Sequence, residues 1–346
     1  MGAAVVISCL ASAVPPVAGA DFLPDAVPIA RTGSPVEAER SLRAADQPAD
    51  RFVAIYSGST KGTYFYVGNA ICAALDATFS KHRIRCVSLR SQGDASNVSL
   101  MAQGRAQFII IQSNTNNDAA EKRIDLPTGR SVMSLHDELG VIVVGRGKTV
   151  ANLSDLRGMS VNVGPDGTSS RNLWAQLLAA NGMALSDLGS VYGAAQDLNP
   201  QGLCDGFIDA YGLWIGHPAT SVSTSIADCG ASIIGMQSPG TDQLIAQHPY
   251  FFRGKIPAGT YPNQDRAIDS YGFKATLVAD SRVDPDLVYW VVRSVVENID
   301  VFRAQHPALA NVDPRAMFEK ANFLPFHEGA ARYWREIGWL DDRVAK

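Results

Sequence analysis

Residues 52–71 read FVAIYSGSTKGTYFYVGNAI, and the fold follows from how this stretch is divided. Five mostly apolar residues, 52–56, run into a turn of Ser, Gly, Thr and Lys; Val67, Ile71, Leu75 and Phe79 then recur every four residues. A short apolar run suits a covered strand, and a period of four suits a helix with one apolar stripe. Strand, polar turn and helix together make the opening βα unit of an α/β structure.

The same alternation continues outward. Residues 84–89 (IRCVSL) are a second strand ending in RSQGD, and Asp94 or Ser96 is placed to cap a short helix that stops at Gly104. Residues 108–111 (FIII) are a third strand, continuous and β-branched as a strand covered on both faces should be. Strands joined by helices imply right-handed crossovers and a parallel sheet. The pattern restarts with a strand at 141–144, a helical turn at 154–158 and a strand at 160–163 that runs into GPDGTSSR. Leu173, Leu177 and Leu178 mark a helix ending near Asn181-Gly182. Strands at 190–192, 207–214 and 271–278, a long amphipathic stretch at 284–307 and a helix around 328–340 complete the reading.

The expected fold class is therefore α/β, with two doubly wound lobes joined by a hinge and a ligand cleft between them. One lobe takes residues 51–146 and 268–346, the other 147–267. In open parallel sheets ligands bind beyond the carboxyl ends of the strands. Here those ends carry residues 57–63, 90–97, 112–114, 164–170 and 216–218, which are rich in Gly, Ser, Thr, Asn and Gln and poor in acid–base catalysts. Such loops suit a cleft that closes on a small polar solute.

Composition narrows the class further. The 346 residues are enough for two domains, and 46% hydrophobic content is that of a globular chain. A formal charge of −4, with no Lys/Arg cluster, excludes a surface that works by neutralising nucleic-acid phosphates or anionic lipid. Residues 1–20, MGAAVVISCLASAVPPVAGA, are uncharged and apolar and close on Ala18-Gly19-Ala20, the anatomy of a secretory signal without its basic start. Cys9 follows Val6-Ile7-Ser8 in the manner of a lipoprotein box, with too little apolar sequence before it. Residues 21–50, with Pro24, Pro28, Pro35 and Pro48, read as a leader. No later segment approaches the roughly 18 apolar residues of a membrane helix. The expected location is the periplasm.

Cysteine usage fits export. Without Cys9 there remain Cys72, Cys86, Cys204 and Cys229, which allow three connectivities. Ease of closing short loops favours Cys72–Cys86 and Cys204–Cys229. No CxxC pair or clustered His/Cys spacing suggests a metal, and no cofactor is expected.

Four segments together, SGSTKGTYFYVGNAI, VNVGPDGTSSR, DAYGLWIGHP and IPAGTYPNQD, resemble the TAXI branch of the TRAP-transporter solute receptors, from about residue 52 to the C-terminal helices. IPAGTYP (256–262) is the most specific of them. The resemblance implies a periplasmic binding protein of the hinged, type II-like kind. It also implies a small organic anion, of dicarboxylate or acidic amino acid type, delivered to integral-membrane TRAP permease subunits driven by an ion gradient. A monomer is expected, and no catalysis. The sequence departs from the family at Ser59 and Lys61, where further glycines are usual, and at Gly167-Thr168-Ser169-Ser170 in place of Gly-Ser-Gly-Thr. Trp214 is a third departure, standing where a smaller or apolar residue is usual.

Candidate solute contacts follow from these loops. Ser59, Gly62, Thr63 and Tyr64 open the first helix, where unpaired backbone N–H groups favour an anion. Gly167, Thr168, Ser169 and Ser170 repeat the arrangement in the other lobe, with Arg171 one step into the helix. Arg90, Ser96, Asn97 and Gln112 add polar groups from the first lobe, and Trp214, His217 and Tyr261 from the second. Two rival functions use the same cleft. An exported enzyme would need a shifted acid or base among Arg90, Lys61, His217 or Asp166. A sensory module would dock on a receptor kinase. Gly147-Lys148-Thr149 imitates a P-loop, but Ile142 stands where its first glycine belongs.

Overall fold

The computed structural model describes residues 50–341, so the expected signal and the leader up to Ala49 lie outside the described residues. Strand β1 (Arg51–Tyr56) is followed by helix α1 (Thr63–Asp76). Phe79, placed by its spacing on the stripe of α1, belongs instead to a separate short helix, α2 (Phe79–His82). Next come β2 (Ile84–Leu89), α3 (Asp94–Ala102), β3 (Phe108–Gln112) and α4 (Ser113–Ala120). β1 pairs in parallel with both β2 and β3. The N-cap of α3 is Gly93, with φ +91°, and neither Asp94 nor Ser96 caps it. Asp94 reaches away to the end of β3, where it accepts hydrogen bonds from the Gln112 amide at 3.0 Å and from Thr115 Oγ1 at 2.5 Å.

β4 (Gly129–Val144) is sixteen residues long, although only its last four residues read as a strand in the sequence. β5 (Ser160–Asn162), α5 (Ser169–Ala180), β6 (Ser190–Tyr192), α6 (Asn199–Cys204) and β7 (Ala210–Ile215) follow. They are succeeded by α7 (Thr220–Cys229), β8 (Ser232–Ile234), α8 (Pro239–Gln247), β9 (Phe252–Ile256) and the long β10 (Ile268–Asp280). The chain closes with α9 (Pro285–Glu297), α10 (Ile299–Ala304), α11 (Pro314–Glu319) and α12 (Glu328–Glu336). The stretch expected as one helix from 284 to 307 is thus divided at Asn298. Asp284 caps α9 through the Asp286 amide at 2.9 Å, and Pro285 occupies the first turn, where its missing N–H costs nothing. The last helix ends four residues before Leu340, because Gly338 takes φ +72° and reverses the chain.

The ten strands among the described residues join one sheet, ordered β2-β1-β3-β10-β4-β7-β5-β6, with β8 added to β4 and β9 to β10. It is mixed and not parallel: β10 runs antiparallel to β3, β4 and β9, and β4 antiparallel to β7 and β8. The reason is topological. β4 carries the chain from one half of the molecule to the other and β10 carries it back, so these two strands must oppose each other.

Each half has its own apolar packing on both faces of the sheet. In the first, Val53, Ile55, Ile71, Leu75 and Ile110 pack with α9 and α12, while Ile109, Ile111 and Met101 pack on the opposite face. In the second, Ile142 and Val144 pack with Trp174 and Leu177, and Val141 and Val143 with Tyr211 and Val222. Neighbouring residues of β3 and β4 feed opposite faces, as the two-residue period of a strand requires. Along β10, Tyr271 and Phe273 belong to the second half and Ala275 and Leu277 to the first. Along β4 the change falls between Leu135 and Leu139. The α/β class expected from the sequence is the one observed, with its strands in one continuous mixed sheet in place of the parallel sheets expected.

Among the described residues, two disulfides join neighbouring elements. Cys72–Cys86 ties α1 to β2, and Cys204–Cys229 ties the end of α6 to the end of α7, each with Cα atoms 5.0 Å apart. These are the pairings that short loop closure favours.

Candidate functional site

The loops at the carboxyl ends of β1, β5 and β7 meet where the two halves face each other. Ser59, in the turn before α1, donates to both carboxylate oxygens of Asp197 at 2.9 and 2.7 Å, and Asp197 lies in the single turn before α6. Thr63, the first residue of α1, donates to the Gly216 carbonyl at 3.3 Å. Ser169, the first residue of α5, donates to the Gln112 side chain at the end of β3. Gly216 must be glycine for this closeness. A Cβ there would lie 2.6 Å from the His136 ring and 2.9 Å from the Thr63 methyl.

Beneath these contacts lies a buried polar layer, at the point where β4 passes from one core to the other. Residues 136–138 read His-Asp-Glu; His136 is fully buried and Glu138 only 3% exposed, while Asp137 points outward to Lys274 at 2.5 Å. Tyr64 donates its hydroxyl hydrogen to Glu138 Oε2 at 2.8 Å. Burial, with Asp94 nearby, pushes the Glu138 carboxyl well above its ordinary range. Burial likewise raises Asp94 to about 6, although its bonds from Thr115 and Gln112 favour the charged form. His136 is held neutral, its pKa lowered to about 3 by burial and then by Lys274. Neither of its ring nitrogens has a hydrogen-bond partner.

Next to this layer His217 and Tyr261 form a brace. His217 donates from Nε2 to the Leu139 carbonyl at 3.0 Å, and its Nδ1 accepts from the Tyr261 hydroxyl at 2.6 Å. The same hydroxyl accepts from the Ala219 amide at 2.8 Å. Burial lowers the His217 pKa to about 4, so its ring is neutral and both nitrogens hold the loop 216–218 against β4.

The candidate residues divide clearly. Ser59, Gly62, Thr63 and Tyr64 come together with Asp197, Gly216 and Glu138, and Gln112 comes together with Ser169. No side chain caps α1 at Gly62. At α5, Thr168 accepts from the Arg171 amide at 3.4 Å and Ser170 donates to the Val163 carbonyl at 3.1 Å, so both serve the turn itself. Gly167 takes φ +74° within that turn. Arg171 pairs with Asp166 at 2.7 Å and also donates to the Gly164 carbonyl. Asn97 is buried, its amide donating to the carbonyls of Tyr56, Ser57 and Ile110; it fixes β1 to β3 from beneath. Ser96 is half-buried in the first turn of α3, and Arg90 and Lys61 are exposed. Trp214 is core, edge-on to Trp174 and Tyr271.

Sequence reasoning passed over Asp197 and Glu138, gave Asp94 only a capping role, and took His136, which is fully buried, for a surface or turn residue. The signal present was the run LHDEL at 135–139: charged groups inside an otherwise apolar strand are out of place unless they are partnered. Two surface hollows, one lined by Ile226, Pro262 and Arg266 and the other by Gln237, Arg253 and Asp269, involve none of these residues. Among the described residues no group of three or more His, Cys, Asp or Glu is placed to hold a metal ion, and no helix is long and apolar enough to cross a membrane.

Comparison with known proteins places residues 55–338 in a match to the NMT1-like family, and the chain belongs to that family. Among solved structures it is similar to the periplasmic aliphatic sulphonate binding protein SsuA from Escherichia coli. Identity is 12%, with 84% of this chain and 85% of that chain covered and a TM-score of 0.47. It is similar to a putative sulfonate ABC transporter periplasmic sulfonate-binding protein from Methylobacillus flagellatus, at 16% identity, 84% and 88% coverage and a TM-score of 0.47. A chain from a study of glutathione import via GshT and the cystine ABC importer TcyBC of Streptococcus mutans matches at 12% identity. There the coverage is 78% and 100% and the TM-score 0.48.

Proposed function

We propose that this member of the NMT1-like family is an exported solute receptor: its two lobes, which exchange along β4 between Leu135 and Leu139 and along β10 between Phe273 and Ala275, close on a small organic anion. The observation that carries the reading is the set of contacts between the two halves, Ser59–Asp197, Thr63–Gly216 and Ser169–Gln112. These form around loops that only two long strands connect, so the halves can part without unfolding either core. The uncapped first turn of α1 is suited to the solute's negative end through backbone amides and the helix dipole, whereas the first turn of α5 is capped by Thr168. The recipient is an integral-membrane permease, of the TRAP type on the resemblance of the four sequence segments. The protein acts by capture and handover and needs no cofactor. His217, the strongest basic candidate for an enzyme, has both ring nitrogens engaged within the fold.

The test is thermal melting of refolded, solute-stripped protein against a broad panel of small organic acids. A receptor is stabilised by mass action, by about 2.7 kcal/mol when free solute is a hundredfold above Kd. The expected result is a rise in Tm with one chemical class; no rise with any acid would overturn the reading. For the permease, uptake in reconstituted vesicles is expected to need an ion gradient, and uptake that needed ATP alone would overturn the TRAP assignment.

A further inference from the structure

We propose that closure of the two halves and protonation of His136 exclude each other, so that acid opens the protein and frees its solute. This rests on the receptor reading above and adds a control to the same cleft.

The first observation is where His136 lies. It is fully buried on β4, between Leu135, which packs in the first half, and Leu139, which packs in the second. The cover over its ring comes from both halves. Tyr64, from the first, stands edge-on to it at 6.1 Å between centroids. Gly216, directly after Ile215 of the second, is so close that a Cβ there would lie 2.6 Å from the ring's Cδ2 and 3.0 Å from Nε2. Across the halves, the Gly216 carbonyl accepts the Thr63 hydroxyl hydrogen at 3.3 Å. Parting that contact lifts one side of the cover and lets water reach the ring.

The second observation is what the closed ring lacks. Both nitrogens are without a hydrogen-bond partner, whereas buried ring nitrogens are ordinarily satisfied. Lys274 on β10, His306 in the turn after α10 and His217 in the loop after β7 all oppose a positive charge on it. Lys274 is paired with Asp137 on the outward side of β4. Tyr64 gives its hydroxyl hydrogen to Glu138, and Glu138, raised well above its ordinary range by burial, keeps its own proton. Asp94 bears on Tyr64 and Glu138, not on the ring. A proton on His136 in the closed form would thus be a buried charge without a counter-charge, and water in the open cleft removes that penalty.

The third observation separates His136 from His217, the other buried ring at the cleft. His217 is bonded to Leu139 and Tyr261, and Tyr261 to Ala219; these three belong to the second half, so opening leaves the brace intact. The sign of the effect follows from linkage. His136 titrates at about 3 when covered, against an ordinary 6.5. Below 6.5 the open form holds more protons, so closure is at full strength above 6.5 and weakens by up to about tenfold per pH unit as pH falls. Glu138 and Asp94, whose pKa values are raised, work in the opposite sense, so loosening in acid reports the histidine.

Two measurements test this. The first follows the His136 ring by NMR from about pH 7 to about pH 3 in the parent and in Gly216→Ala, whose methyl holds the loop away from α1. The ring is expected to stay neutral to below about pH 4 in the parent and to take its proton at least about one unit higher in the variant. Equal values in the two proteins would overturn the inference. The second uses the acid that the purified protein releases on denaturation, added back to stripped protein. Its Kd should be at least about tenfold weaker at pH 5 than at pH 7, and His136→Gln should bring that ratio within about threefold. The solute's own titration is common to both proteins, and this arm serves should Gly216→Ala fail to fold. An unchanged ratio in His136→Gln would overturn the inference and leave the receptor reading standing. Failure of the receptor reading shows instead as no acid binding at neutral pH, with the NMR comparison still readable.

Discussion

Tyr64 donates its hydroxyl hydrogen to Glu138 Oε2 at 2.8 Å, and this bond joins the first turn of α1 to β4 where that strand passes between the two cores. Both residues are buried, and the bond links one lobe to the segment about which the lobes would turn. On the proposed receptor reading, closure and solute contact therefore share atoms.

The Ser59–Asp197 contact should act as a latch. Asp197→Ala removes the carboxylate that accepts the Ser59 hydroxyl hydrogen and touches neither core. A charged hydrogen bond contributes about 1.5–3 kcal/mol when sheltered, and this half-buried one contributes less. Solute retention should weaken by about three- to tenfold with Tm nearly unchanged. A competition assay alongside a melting curve measures both; a large fall in Tm with retention intact would be the wrong pattern.

Gly216→Ala should oppose closure by sterics. The added methyl would lie 2.6 Å from the His136 ring and 2.9 Å from the Thr63 methyl, and Thr63 belongs to the opposite half. Opening the cleft relieves the second contact. Small-angle scattering of solute-saturated protein should show a larger radius of gyration for the variant than for the parent. Equal radii would mean that the two loops do not approach as described.

Stability should fall on mild acidification, and Asp94 should limit the fall. An unfolded histidine takes its proton near 6.5, whereas in the fold His217 and His136 wait until about 4 and about 3. In that window the unfolded chain holds more protons, so this contribution is complete above 6.5 and is lost as pH drops. Asp94 works in the opposite sense. Its folded pKa of about 6 exceeds the ordinary 3.8, so its contribution is full below 3.8 and lost as pH rises through 6. Asp94→Asn removes this offset, and urea midpoints from about pH 6.5 to about pH 4 should decline more steeply than in the parent. Parallel declines would contradict the assignment.

The disulfides should matter for stability and not for capture. Their loops span 14 and 25 residues, for which chain entropy gives about 3 kcal/mol each. Paired Cys72→Ser, Cys86→Ser or Cys204→Ser, Cys229→Ser substitutions should lower the urea midpoint, and Kd should stay within about twofold. Cys72 lies nine residues along α1 from Thr63 and is tied to β2, and Cys204–Cys229 joins α6 to α7, so neither bond includes Ser59, Thr63 or Glu138. A tenfold loss of affinity in either pair would place that bond in the site.

What could be read in the sequence was local. β2 runs over the residues expected, α5 begins at the Gly-Thr-Ser-Ser turn, and both disulfides close short loops, because each depends on neighbours in the chain. The first twelve residues of β4 escaped because Arg130, His136, Asp137 and Glu138 break any strand-like pattern. Their burial is decided by β10, which lies more than a hundred residues away and crosses beside them. Asn97 was misjudged for a related reason. Its type and loop suggested a solute contact, whereas its amide holds three carbonyls from two strands that only the fold brings together. Trp214, a departure from the family at a ligand-facing loop, is turned inward to Trp174 and Tyr271.

The central claim, that the two halves close on a small solute, is tested most directly by small-angle scattering of one preparation before and after loading. The solute is identified beforehand from what the purified protein releases on denaturation. The radius of gyration should shrink on saturation, and the shrinkage should vanish in Gly216→Ala. An unchanged scattering curve at saturating solute would contradict the account.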